Sequence, residues 1–102
     1  MTTEIEILRQ EIDKIEDRLI YLLNKRAKLA FEIGKIKKKR GLPIKDAERE
    51  NLILNRVAKK NKPNSRGIRG TVSDDFMRNI FKKIIDEAVR IEHDAVSREL
   101  GA

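Results

Sequence analysis

The stretch that decides the fold is residues 3–40, TEIEILRQEIDKIEDRLIYLLNKRAKLAFEIGKIKKKR. It contains no Pro, and its only Gly is Gly34. Apolar residues fall at Ile5, Leu8, Ile12, Ile15, Leu19, Leu22, Leu29, Ile33 and Ile36. The steps alternate three and four, the period of an amphipathic helix and close to a heptad seam. A helix of this length spans ~57 Å at 1.5 Å per residue. A compact domain of about 100 residues has a radius of gyration of only ~13 Å. The helix therefore overhangs its own domain, and its seam calls for a second chain. An antiparallel or interlocked homodimer is the simplest supply.

Outward from this stretch the punctuation is clear. Gly41 and Pro43 end the first helix, one by freeing the backbone and one by removing a donor. Asp46 stands where an N-cap belongs, and Glu48 follows in the first turn, favourable for the helix dipole. A second helix is expected to about Lys60, with Ile53, Leu54 and Val57 inward. Asn61 to Val72 reads as a loop from its Gly, Pro, Asn and Ser content. Ser73 can cap a third helix, with Val72 and Met77 at staple positions. That helix carries Met77, Ile80, Phe81, Ile84, Ile85, Ala88 and Ile91 inward, towards Ser97. There are no internal repeats and no strand pattern. The expected fold is all-α: three helices (long, short, medium) in one domain, 1–102, forming an intertwined helical homodimer.

Composition narrows the function. The 102 residues include no Cys, so disulfides and thiolate metal sites are excluded. His93 is the single histidine, too few for a zinc site. No apolar run approaches the ~20 residues of a membrane span, and the charged N-terminus does not read as a signal peptide. A cytoplasmic protein is expected. The net charge of +7 fits either a solubilising Lys-rich surface or an anionic partner.

Polar residues appear where the pattern wants apolar ones. Between Leu22 and Leu29 the rhythm asks for an apolar residue at 26, and the sequence has Arg26. A guanidinium in a buried seam is costly unless an anion pairs with it. It either snorkels outward, pairs with a Glu of another helix, or awaits an anionic ligand. Lys37 follows Arg26 by eleven residues, which returns to within about 20° of the same face, about 16 Å along. Arg9 sits about 100° round the helix from Arg26, so it serves the same pocket more easily from a partner chain. On the second helix Glu50 shares the face of Ile53 and Val57. On the third, Glu92 shares that of Phe81, Ile85 and Ala88. Each inward Glu alone reads as a partner for a buried Arg. Together these groups suggest a polar pocket for a charged ligand.

The segments Leu8-Arg9-Gln10-Glu11-Ile12-Asp13, Leu22-Leu23-Asn24-Lys25-Arg26, Leu29 to Lys37 and Pro43-Ile44-Lys45-Asp46-Ala47-Glu48-Arg49-Glu50 carry a likeness across nearly the whole chain. With the spacing of Arg9, Arg26, Lys37, Asp46, Arg49 and Glu50, the sequence resembles the small all-helical chorismate mutase family. The resemblance implies that Arg26 binds a substrate carboxylate within its own chain and that Arg9 clamps a carboxylate from across the dimer. It implies that Lys37 hydrogen-bonds the ether oxygen of the breaking bond and a carboxylate. Glu50, with the backbone near Asp46, would hold the ring hydroxyl, and Arg49 would border the pocket. Ala88 occupies a place often held by Ser, so one hydrogen bond to substrate is absent. Glu92 occupies a place often held by Gln, though the fungal relatives have Glu; the Asn61–Val72 loop is several residues longer than usual.

The implied chemistry suits the residues. Chorismate becomes prephenate by an intramolecular [3,3] shift that needs no nucleophile, metal or cofactor. The enzyme holds the compact conformer and stabilises charge growing on the ether oxygen. Arginine forks match two carboxylates. A carboxylate only accepts hydrogen bonds, as the ether oxygen does, so Glu92 can help as a donor when it carries its proton. Two other readings compete. An isochorismate-pyruvate lyase shares the fold and pocket logic, although the spacing and Glu50 favour the mutase. A basic helical dimer binding nucleic acid accounts for the +7 charge and the Lys37–Arg40 cluster. It leaves inward Glu50 and Glu92 unexplained and lacks interleaved aromatics for base stacking.

Overall fold

The computed structural model describes residues 3–62 and 72–101, with side chains to 97. Three helices follow in order: α1, Glu4–Arg40; α2, Ala47–Lys60; α3, Asp74–Gly101. The third runs to Gly101, four residues beyond the expected Ser97. Nothing between Ser97 and Gly101 breaks a helix in the way Pro does, and the apolar rhythm simply fades there. The expected loop lies mostly outside the described residues, but both its ends are tied. Asn61 Nδ2 donates to Val72 O and to Asp74 Oδ1, each at 2.9 Å.

Each helix is started and stopped by local chemistry. Thr3 and Glu6 form a reciprocal capping box on α1. Gly41 ends it in the left-handed region, φ 66°, where a side chain would be strained. There the Leu42 N–H donates to Lys37 O at 2.8 Å and the Gly41 N–H to Lys38 O at 3.2 Å, a Schellman turn. Asp46 caps α2 by accepting from the Arg49 N–H at 3.0 Å. Ser73 Oγ accepts from the Phe76 N–H at 3.2 Å to start α3; Val72, at the staple position, stays exposed.

The long α1 overhangs, as its length demands. The radius of gyration is 17.6 Å and the molecule extends 56 × 32 × 20 Å. α3 is the element on which both other helices pack. Ile53, Val57 and Ile85 form the small core, with Leu54, Met77 and Phe81 against it. On α1 the buried residues are Ala30 and Gly34, not the apolar seam. All nine seam residues from Ile5 to Ile36 remain 47–64% exposed. The chain thus spends its narrow small-residue face on α3 and leaves its large apolar face uncovered, far more than scattered surface residues require. Among the described residues no helix is long and apolar enough to cross a membrane.

Candidate functional site

α3 runs in the same direction as α1. Residues 23–27 of α1 and 83–91 of α3 line one groove, and further along Gly34 meets Glu92 and Ala95. That second meeting depends on glycine. A Cβ on Gly34 would lie 2.8 Å from the Glu92 Cα and 2.8 Å from its carbonyl oxygen. Without a Cβ the helices close up, and Glu92 is driven against α1 one turn before Lys37.

A cleft of about 60 Å³ opens at this crossing. Arg26 and Lys37 of α1, Ile44 and Asp46 of the turn, Arg49 and Glu50 of α2 surround it. α3 closes it with Ile85, Ala88, Val89 and Glu92. Every residue singled out from sequence for the site is therefore here except Arg9. Arg9 lies exposed on the overhanging half of α1, about 25 Å along the axis from Arg26.

Lys37 is the hub. Its Nζ donates to Ile44 O at 2.6 Å and stands 2.7 Å from Glu92 Oε1. Both side chains are well covered, at 18% and 10% exposure. The contact with Glu92 is a close, largely buried ion pair, and the same ammonium, with three donors, also serves the Ile44 carbonyl.

The opposite wall is cationic. Arg26 is half-buried and makes no ion pair with any described acidic residue. Burial, then the nearby charges of Arg49 and Arg56, push its guanidinium below its ordinary value; Glu92 alone pulls the other way. Glu50 lines the same cleft, its carboxylate 3.8 Å from the exposed Lys45. Asp46 spends its side chain on the α2 cap. An unneutralised guanidinium pair opposite a Lys–Glu pair can bind an anionic ligand and present an ammonium donor to one of its oxygens. Among the described residues no group of His, Asp and Glu could hold a metal ion.

Sequence reasoning missed three contributors. Gly34 was visible as a lone glycine in a helix, which signals close packing. Its neighbour across the interface was not visible. The Ile44 carbonyl that orients Lys37 is a backbone group, and no residue type announces it. Val89 joins the wall beside Ala88.

Residues 8–93 match the family described as chorismate mutase type II. The chain is 38% identical over 98 residues to a bifunctional chorismate mutase/prephenate dehydratase of Aquifex aeolicus, covering 96% of this chain and 26% of that protein. It is 36% identical over 59 residues to a chorismate mutase of Methanocaldococcus jannaschii, covering 58% of this chain and 60% of that one. The chain spans about a quarter of the length of the first curated relatives it matches. Among solved structures, chorismate mutase form II of Thermus thermophilus superposes with a TM-score of 0.79 at 28% identity, over 89% of this chain and 96% of that one.

Proposed function

This chain belongs to the chorismate mutase type II family, and on that premise we propose that it rearranges chorismate to prephenate, a step towards phenylalanine and tyrosine. The observation that carries the reading is the cleft itself: two guanidinium groups with no ion pair to any described residue line it together with the Lys37–Glu92 pair. Arg26 and Arg49 take the carboxylates. Lys37 donates to the ether oxygen as charge develops there, and Glu92 donates to it from the other side when protonated. Glu50 and the backbone at Asp46 receive the ring hydroxyl. Ala88 gives a wall without a hydrogen bond. The site works by orientation and electrostatics and draws on no cofactor.

The second part of the proposal is assembly. The uncovered apolar face of α1 supports a homodimer in which Arg9 of one chain reaches the cleft of the other. The free cleft is much smaller than the ~300–1,000 Å³ usual for ligand sites. Substrate entry therefore parts Lys37 from Glu92, and the partner helix roofs the widened space. The test is to incubate purified protein with chorismate and, separately, with isochorismate, and to identify products by NMR. Prephenate from chorismate is expected. Pyruvate from isochorismate, with chorismate untouched, would overturn the reading.

A further inference from the structure

Glu50 stands between two spaces. On one side it lines the cleft with Lys37 and Arg49. On the other it lines a wider groove of about 430 Å³ between α2 and α3, with Lys45, Lys82 and Asp86. Lys45 meets it from the groove. Its Nζ lies 3.8 Å from Glu50 Oε2, and it does not line the cleft itself. The lysine side chain is 72% exposed and the glutamate 24%.

Stability gives little reason for a lysine here. Lys45 directly precedes Asp46, the N-cap of α2. A cation at the start of a helix opposes its dipole. An exposed pair at this separation returns little to the fold. What the pair does change is the charge that Glu50 presents to the cleft. Alone, Glu50 is a half-buried anion that attracts a cation on the ligand. The ammonium of Lys45 cancels part of that attraction. Glu50 still accepts a hydrogen bond from a neutral hydroxyl, because its lone pairs remain.

We propose that Lys45 is a specificity-determining residue: by sitting against Glu50 it makes the cleft favour a substrate with a neutral hydroxyl on its ring over one with an ammonium at the same place. This rests on the mutase reading above, which sets the ring hydroxyl against Glu50. The disfavoured substrate is the amine analogue of chorismate, the same diacid with an amino group in place of the ring hydroxyl. An aliphatic amine is charged at neutral pH. Lys45 acts alike on the carboxylates of both compounds, so that contribution cancels in the ratio of their kcat/KM values. What remains in the ratio is repulsion between Lys45 and the ring ammonium, which salt screens.

The experiment uses the full chain as wild type, Lys45→Gln, Lys45→Glu and Lys45→Arg. The kcat/KM values for chorismate and for its amine analogue are measured at low and at high sodium chloride, with a melting curve for each protein. At low salt the amine-to-hydroxyl ratio is expected to rise about 3–10-fold in Lys45→Gln and further in Lys45→Glu, the scale of one charge acting across a few ångströms of wet surface. At high salt these differences shrink towards wild type, and Lys45→Arg follows wild type throughout. The Tm of Lys45→Gln equals or exceeds that of wild type. A merely structural lysine would, when removed, slow both substrates alike and leave the ratio where it was. An unmoved ratio at low salt, a shift that persists in full at high salt, a Lys45→Arg protein that behaves as Lys45→Gln does, or a wild type that prefers the amine overturns the proposal. A wild type that consumes neither compound brings down the mutase reading and this inference together; a wild type active on chorismate with a ratio that Lys45 does not move overturns this inference alone.

Discussion

Gly34 and Glu92 meet backbone to backbone, so closely that a Cβ on the glycine would stand 2.8 Å from the Glu92 Cα. The contact fixes how far α3 slides along α1. Glu92 thereby comes level with Lys37, one turn on, and their charges meet at 2.7 Å. The reactive pair is thus set by a residue that has no side chain.

Gly34→Ala should therefore cost more in rate than its size suggests. Relief of the glycine penalty in a helix favours folding by about 0.5–1 kcal/mol, whereas overpacking costs typically 1–3 kcal/mol. The Glu92 backbone cannot move aside as a flexible side chain could, so net destabilisation of about 1–2 kcal/mol is expected in urea unfolding. Displacement of Glu92 should lower kcat by about 10²-fold, because ~1 Å of misplacement carries that penalty. An alanine variant with wild-type kcat would show that the close approach is not needed for the chemistry.

Arg26 separates function from stability. The fold pushes its guanidinium below the ordinary value, so its charge opposes folding. An arginine stays charged at any working pH, and a lowered value in the folded state means the penalty is present at all pH values below it. It is constant from acid to mildly alkaline conditions and produces no pH-dependent step. Arg26→Leu should lose at least about 10²-fold in kcat/KM and yet melt at or above the wild-type temperature. A Tm lowered by several degrees would make Arg26 a structural residue.

Glu92 is tested by substitution. The ether oxygen can only accept, so Glu92 assists there only as a donor. Glutamine offers a permanent N–H donor of nearly the same shape, so Glu92→Gln should keep or raise the rate while Glu92→Ala loses it. The check is kcat/KM of wild type and both variants, with circular dichroism to establish folding. A Glu92→Gln protein as slow as Glu92→Ala leaves Glu92 as the ion-pair partner of Lys37 and no more.

The shared site predicts complementation. Arg9→Ala chains and Arg26→Ala chains are each inactive alone if every site draws one arginine from each protomer. After subunit exchange, a heterodimer contains one site with both arginines intact. Activity should appear on mixing and approach a quarter of the wild-type value, since half the dimers are mixed and each carries one good site of two. A monomeric mass at micromolar concentration, or proven exchange without recovered activity, contradicts the dimeric site.

Much of this was legible in the sequence, for reasons that differ by residue. The 3-4 spacing from Ile5 to Ile36 gave α1 and its overhang, because periodicity reports a helix whatever it packs on. It did not say which face α3 takes. The larger face stays open, and the smaller one, Ala30 and Gly34, is buried. Arg26 and Lys37 announced a site by interrupting an apolar stripe. Asp46 was placed by a cap signal and Glu50 by the register that follows it, whereas Arg49 came with the family resemblance. Ile44 was invisible in its role because a carbonyl belongs to every residue.

Lys37 carries the central claim, since it alone joins the turn, Glu92 and the expected position of the ether oxygen. Loss of its bond to Ile44 O should cost about 1–2 kcal/mol in stability, well short of unfolding the chain. The measurement is the rate of chorismate disappearance with wild type and with folded Lys37→Ala, at saturating substrate, with the product identified as prephenate. Wild type should convert chorismate far faster than the spontaneous reaction, and Lys37→Ala should be slower in kcat by about 10²–10³-fold. A folded Lys37→Ala protein with near wild-type turnover would contradict the account.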